Sequence, residues 1–274
     1  RKALTPNRST ASLPARLDRE STTRAAAPPP LESVAKTHRN SPASLRISAD
    51  TAPREQSAIE QFAALESSGV CRHAFIRRIA GIDVSHDKAE ALRRLEAAHR
   101  NIRRIIGVES WPLLTAEQVH GNKIAIVDRP VESGKQFAGC DGIITNQRKI
   151  LLGIHVADCC AVYIVDPKTP AIGLVHSGRK GTELGVVTNA ITQMIARFGS
   201  RPPDLIVQLS PCIRPPHYEI DFAAKIVEQC RAQGVQKIHD SGICTACHVD
   251  LYYSYRAEKG RTGRMLALLG LEPK

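Results

Sequence analysis

The side chains best suited to chemistry in this sequence fall in three short segments that close apolar runs. They are Glu117-Gln-Val-His120-Gly121, Ala157-Asp158-Cys159-Cys160 and Leu174-Val-His176-Ser-Gly178-Arg-Lys-Gly181-Thr182. The ends of apolar strands are the usual place for a site on a sheet scaffold. Imidazole and thiolate are preferred zinc ligands, and three protein donors with a fourth position free form the arrangement that activates water. His120, Cys159 and His176 offer such a set, although their spacings are too wide to form a ligand motif. Satisfied core histidines and an inert buried cysteine therefore stand as the alternative reading. Adjacent side chains on a strand point to opposite faces, so only one of Cys159 and Cys160 can face a given site. The third segment has a second feature: Gly178, Gly181 and Gly185 loosen a strand-to-helix junction whose N–H groups can hold an anion, with Arg179 or Lys180 adding charge. A plain glycine-bearing helix entry explains the same residues equally well. The Walker spacing of a phosphate loop is absent.

The elements that must position these residues are short apolar runs separated by Gly- or Asp-bearing turns. Leu113–Val119, Lys123–Val127, Gly142–Thr145, Leu151–Val156, Ala161–Val165 and Ala171–Val175 read as strands, as do Cys71–Ile76 and Asp204–Leu209. Helices are predicted over Ser57–Leu65, Lys88–Ile106, Gly185–Phe198 and Phe222–Gly234. The second of these carries Ala89, Leu92, Leu95, Ala98, Ile102 and Ile105 at three- and four-residue steps, with a basic opposite face that reads as solvated. The fold class predicted is α/β (mixed α+β), a layered sandwich with helices packed on a mixed sheet.

At 274 residues and 42% hydrophobic content the chain can bury a substantial core. The excess of 38 Lys+Arg over 27 Asp+Glu suits an anionic partner without choosing one. Aromatic content of 4% argues against gripping single-stranded nucleic acid by base stacking. Residues 1–54 are rich in Pro, Ser and Arg without apolar periodicity, and are expected to be a disordered basic tail preceding a domain over 55–274. No run of ~18 apolar residues predicts a membrane-spanning helix, and no secretory pattern is visible, so a cytoplasmic protein is expected. In that compartment the eight cysteines are expected to be thiols or metal ligands.

Taken in order, Gln118-Val-His-Gly121, Asp141-Gly-Ile-Ile-Thr145, Val156-Ala-Asp-Cys159, Val175-His-Ser-Gly178 with Lys180-Gly181, Ser210-Pro-Cys-Ile213, Tyr253-Ser-Tyr-Arg256 and Thr262-Gly-Arg-Met265 resemble the YfiH family, also labelled laccase domain or polyphenol oxidase. The resemblance runs from about His73 to the C-terminus. It implies a zinc site from His120, Cys159 and His176, and an enzyme that splits purine nucleosides with phosphate and also deaminates adenosine. Lys180, Gly181 and Arg256 are the phosphate candidates, and Asp158 is expected to orient a metal ligand from behind or to cap a turn. Two departures matter. Arg179-Lys180 stands where the family usually has a Trp followed by a basic residue, which implies a missing aromatic wall, and Cys160 replaces an aliphatic residue.

Other readings use the same residues differently. Cys159 with His176 or His120 as base would make a metal-independent cysteine hydrolase, a role compatible with the family's link to peptidoglycan precursor editing. Copper-dependent phenol oxidation ranks below zinc because no Cys-His-Met signature is present. A basic nucleic-acid-binding module finds no supporting motif. Cys244-Thr-Ala-Cys247-His248 matches the c-type haem string, which needs export; a second metal site or redox pair is the next alternative, and two thiols are expected. Monomer and homodimer are left open.

Overall fold

The structure is a computed structural model and describes residues 51–131 and 134–273. In chain order the first half contains α1 (Thr51–Ser57), β1 (Ile59–Glu60), α2 (Ala63–Glu66), β2 (Cys71–Ile76), α3 (Lys88–Ile105), β3 (Leu113–Ala116), β4 (Ile124–Val127) and β5 (Gln136–Phe137). There follow β6 (Gly142–Thr145), β7 (Leu151–Val156), β8 (Cys160–Asp166), β9 (Ala171–Ser177), α4 (Arg179–Glu183) and α5 (Val186–Phe198). The chain ends with β10 (Ile206–Leu209), α6 (Phe222–Ala232), β11 (Lys237–Asp240) and β12 (Met265–Leu271). The mixed α/β class is as predicted, but the strands form two sheets, ordered β1-β2-β12-β7-β3-β5 and β11-β10-β8-β9-β6-β4.

Strand parity explains the layering. In β8, Ala161, Tyr163 and Val165 join the core that also holds β2, β7 and β12, whereas Cys160, Val162 and Ile164 join the core shared with α5 and α6. Every residue of β8, β9 and β12 is buried, because both faces of these strands are covered and no alternation is needed. Tyr163 stitches the sheets together: its buried hydroxyl donates to the Ala74 carbonyl at 2.9 Å. Leaving such a group unpaired would cost about 1–3 kcal/mol.

Helix α3 starts where Asp87 accepts the Glu90 N–H at 3.0 Å, an N-cap interaction. Its buried face is Ala91, Leu95, Ala98, His99 and Ile102, so the stripe is rotated from the predicted one and Ala89 and Ile105 are exposed. The helix predicted over Ser57–Leu65 is broken instead. Ile59 and Glu60 pair with Ile76 and Phe75, and Phe62 donates its N–H to His73 Nε2 at 2.8 Å, so sheet pairing overrides local helical preference. The predicted tail over 1–54 lies outside the described residues except for Thr51–Arg54, which form the start of α1. Among the described residues no helix is long and apolar enough to cross a membrane.

Candidate metal centre

His120 from the β3–β4 connection, Cys159 from the β7–β8 connection and His176 near the end of β9 converge at one rim of the layer between the sheets. Cys159 continues the parity of Ala161 and Tyr163 just ahead of β8, and His176 that of Ile172 and Leu174 in β9. Cys160, of opposite parity, turns toward the helices and places its Sγ 3.7 Å from the Ser210 carbonyl. The facing donor atoms of His120, Cys159 and His176 all lie within 4.8 Å of one another. Cys159 Sγ is 3.9 Å from His120 Nε2, and the two imidazoles meet edge to face at 4.8 Å.

Asp141, fully buried at the start of β6, organises this cluster. Its carboxylate accepts the N–H groups of His120 and Gly121 at 2.8 and 2.7 Å, and its Oδ1 accepts from His176 Nδ1 at 2.9 Å. Because a carboxylate only accepts, Nδ1 carries a proton, and whenever the ring is neutral its lone pair lies on Nε2. Gln118 and His120 occupy left-handed backbone, with φ of 65° and 59°. Gln118 is held there by its amide, which donates to the His155 carbonyl at 2.6 Å and accepts the His155 N–H at 3.0 Å.

Burial alone would push the Cys159 thiol up, but the charge of His176 and hydrogen bonds from both imidazoles bring it down to about 6. Burial would lower His176; the Cys159 thiolate and Asp141 carry it up to about 9 instead. Asp141 is held below the usual carboxylate range, since His176 and the backbone donors outweigh its burial. Without a metal the pair is therefore thiolate and imidazolium near neutrality.

The cluster opens into a cavity of about 510 Å³, within the ~300–1,000 Å³ common for small-molecule sites. Lys88, Arg179, Arg256 and Arg264 contribute positive charge, and Tyr218, Phe222 and Tyr255 contribute aromatic surface. The aromatic wall predicted to be missing is thus supplied by other residues. The Arg256 guanidinium lies 5.0 Å above the Tyr218 ring and pairs with Glu219 at 3.1 Å. His155 also lines the cavity, with burial, and to a lesser degree nearby His99, holding its imidazole neutral at about 3.

The structure also places three further residues singled out in the sequence. Lys180 is exposed and does not line the cavity, a position taken by its neighbour Arg179. Gly181 is buried beneath the Gly121 carbonyl, 3.3 Å from where a Cβ would stand. Asp158 contacts neither histidine of the cluster through its carboxylate, which accepts from Thr245 Oγ1 and from the Arg256 N–H, each at 2.7 Å. It thereby holds the segment just ahead of Cys159, while Asp141 holds His176 from behind. The signal for Asp141 in the sequence was an acidic residue immediately before the short strand Gly142–Thr145. His155 gave no such signal.

Fold and site together define a two-sheet α/β protein with a His/Cys/His donor cluster in a cation-lined cavity. The chain belongs to the multi-copper polyphenol oxidoreductase laccase family, whose model matches residues 64–225 and 217–272. It is 29% identical over 232 residues to purine nucleoside phosphorylase YlmD of Geobacillus stearothermophilus, covering 69% of this chain and 82% of that protein. Purine nucleoside phosphorylase YlmD of Bacillus subtilis is 26% identical over 204 residues, 60% of this chain and 72% of the relative. The crystal structure of the Geobacillus stearothermophilus YlmD superposes with a TM-score of 0.69 at 22% identity, over 79% of this chain and 99% of that one, a likeness of fold.

Proposed function

We propose that this chain is a zinc-dependent purine nucleoside phosphorylase of the cytoplasm, with accompanying adenosine deaminase activity, whose catalytic domain spans residues 55–274 together with the start of α1. The observation that carries the proposal is the convergence of two imidazoles and a thiolate on the wall of a cavity that also presents cations and aromatic rings. The donor set fits the ion: both imidazoles and the thiolate are zinc ligands, and the Asp141 contact leaves His176 Nε2 turned to the cluster. When bound there, zinc supplies Lewis acidity for polarising a purine or an attacking water. Copper shares this donor chemistry and ranks second.

The chain's own residues supply the rest. Arg179, Arg256, Arg264 and Lys88 gather phosphate, while Tyr218, Phe222 and Tyr255 hold the base and ribose. Phosphorolysis forms a bond from a phosphate oxygen to ribose C1′ as the N-glycosidic bond breaks. The base leaves with that electron pair and takes up the phosphate proton. His155, neutral at the cavity wall, can hydrogen-bond the purine as charge develops on it.

The test is chromatography of products from adenosine or inosine incubated with phosphate. Ribose 1-phosphate and free base are expected from the native chain and from Cys160→Ala, and neither from Cys159→Ala or His176→Ala. Absence of base release from every purine nucleoside rejects the activity, and dependence on Cys160 rejects the site. One observation favours a second reading: the Cys159 thiolate beside His176, itself held by Asp141, is also the arrangement of a cysteine hydrolase. Full turnover in the presence of a strong chelator would select it over the zinc enzyme.

A further inference from the structure

Among the described residues, a second group of ligand-bearing side chains comes together away from the cavity: His217, Cys244 and Cys247, whose donor atoms also lie within 4.8 Å of one another. Two local features bring them there. The segment after β10 runs beside the segment after β11, with Cys212 and Cys244 bridged in parallel and the Thr245 N–H donating to the Cys212 carbonyl at 3.2 Å. Thr245–Cys247 is then a single 3-10 turn. Such a turn eclipses side chains three residues apart, so Cys244 and Cys247 present their sulfurs to the same side. His217, on the facing loop, directs Nδ1 at both, 3.9 Å from Cys244 Sγ and 3.4 Å from Cys247 Sγ.

We propose that His217, Cys244 and Cys247 form a second metal-binding site, separate from the His120, Cys159 and His176 cluster, that takes a thiophilic divalent ion such as zinc. Two thiolates and an imidazole form a recognised zinc donor set, and the Cys-x-x-Cys spacing is that of metal sites. A redox dithiol needs only the two sulfurs; the imidazole aimed at both is the additional feature that points to an ion. His217 and Cys247 are exposed, so water can complete the coordination from the surface side.

The placement gives the ion a structural consequence. Tyr218, next to His217, lines the cavity, and Thr245, between the two cysteines, holds the Asp158 carboxylate immediately before Cys159. Metal at this position clips the aromatic wall to the segment that anchors the backbone behind the thiol.

The experiment uses the full chain carrying Cys159→Ala, which removes the thiolate of the first cluster, reduced, stripped with chelator and titrated with Co²⁺. One equivalent is expected to bind with an intense thiolate-to-cobalt charge-transfer band. Adding Cys247→Ser or His217→Ala, both at exposed positions, is expected to weaken that binding by at least about tenfold. Absence of the band in Cys159→Ala, or an unchanged band and affinity after both additions, overturns the proposal. Because Cys159 is replaced throughout, these outcomes do not depend on whether the first cluster binds zinc.

Discussion

Gly178 is the position where a single methyl group should disable the centre without removing a ligand. Its backbone, at φ −99° and ψ −172°, is one any residue adopts, so alanine carries no conformational penalty there. A Cβ at this residue would stand 2.5 Å from Cys159 Sγ, against an ordinary contact of at least 3.4 Å. Relieving the clash requires the sulfur to retreat by roughly 0.9 Å, and a misplacement near 1 Å in a catalytic constellation can cost ~100-fold in rate. Overpacking of this kind also costs about 1–3 kcal/mol of stability. Gly178→Ala is therefore expected to lose zinc to a competing chelator more readily than the native chain and to lower kcat/KM by about 100-fold. The cause is separable by a double-mutant cycle. Without its sulfur, residue 159 retains only a Cβ at 3.6 Å, an ordinary contact, so Gly178→Ala should cost little stability in a Cys159→Ala chain. Full zinc content and rate in Gly178→Ala, or an equal stability loss in both backgrounds by denaturant unfolding, would refute the steric argument.

Asp141→Asn removes the carboxylate charge and turns one of the two oxygens that accept from His176 and two backbone N–H groups into a donor; a drop in zinc affinity of about 10–100-fold is expected by competition titration, and native affinity would contradict the role assigned to Asp141. In metal-free protein the thiolate fraction of Cys159 should rise as pH climbs through about 6, so iodoacetamide labelling should reach half its maximal rate there and not near the ordinary thiol value. His176→Ala removes the leading opposing charge while burial persists, and should move that midpoint upward; an unchanged midpoint would exclude the ion pair. Steady-state kinetics should show a raised phosphate KM for Arg179→Ala, which loses a cavity cation, and native values for Lys180→Ala, with the reverse pattern restoring Lys180 to the site.

The central strands were legible because their apolar runs end at turn residues: Gly142–Thr145 and Leu151–Val156 are strands at the predicted boundaries. β12 was not anticipated, although it sits in the middle of its sheet between β2 and β7. Its Met-Leu-Ala-Leu-Leu-Gly-Leu sequence is dominated by residues that favour helix locally, and pairing on both sides overrides that preference. Type and strand-end position suggested that His120, Cys159 and His176 could converge but left core histidines and an inert cysteine open, and the family resemblance singled the set out; the opposite facing of Cys159 and Cys160 followed from alternation. The phosphate candidates were harder. Exposure of Arg179 to the cavity and of Lys180 to solvent depends on the first turn of α4, where one residue rotates a side chain by about 100°. His217 was invisible as a partner of Cys244 and Cys247, since the connection between them is made by pairing beyond β10 and β11 and by no local pattern.

The site's geometry is held by polar clamps at strained backbone positions. Of the non-glycine residues with positive φ among those described, Gln118, His120 and Asp158 all border the donor cluster. Such conformations cost about 1–3 kcal/mol each and persist where surrounding contacts over-determine them. Here each is fixed by side-chain hydrogen bonds: Gln118 to both backbone groups of His155, the His120 N–H to Asp141, and Asp158 to Thr245 and Arg256. Two buried aspartates divide the task. Asp141 fixes one imidazole and the backbone of the other, and Asp158 fixes the turn from which Cys159 projects, so the donors are aligned by the protein before any ion arrives. For the proposed zinc enzyme, preorganisation of this kind would let binding free energy go into the ion and its substrate contacts, since little of it would be needed to order the loops.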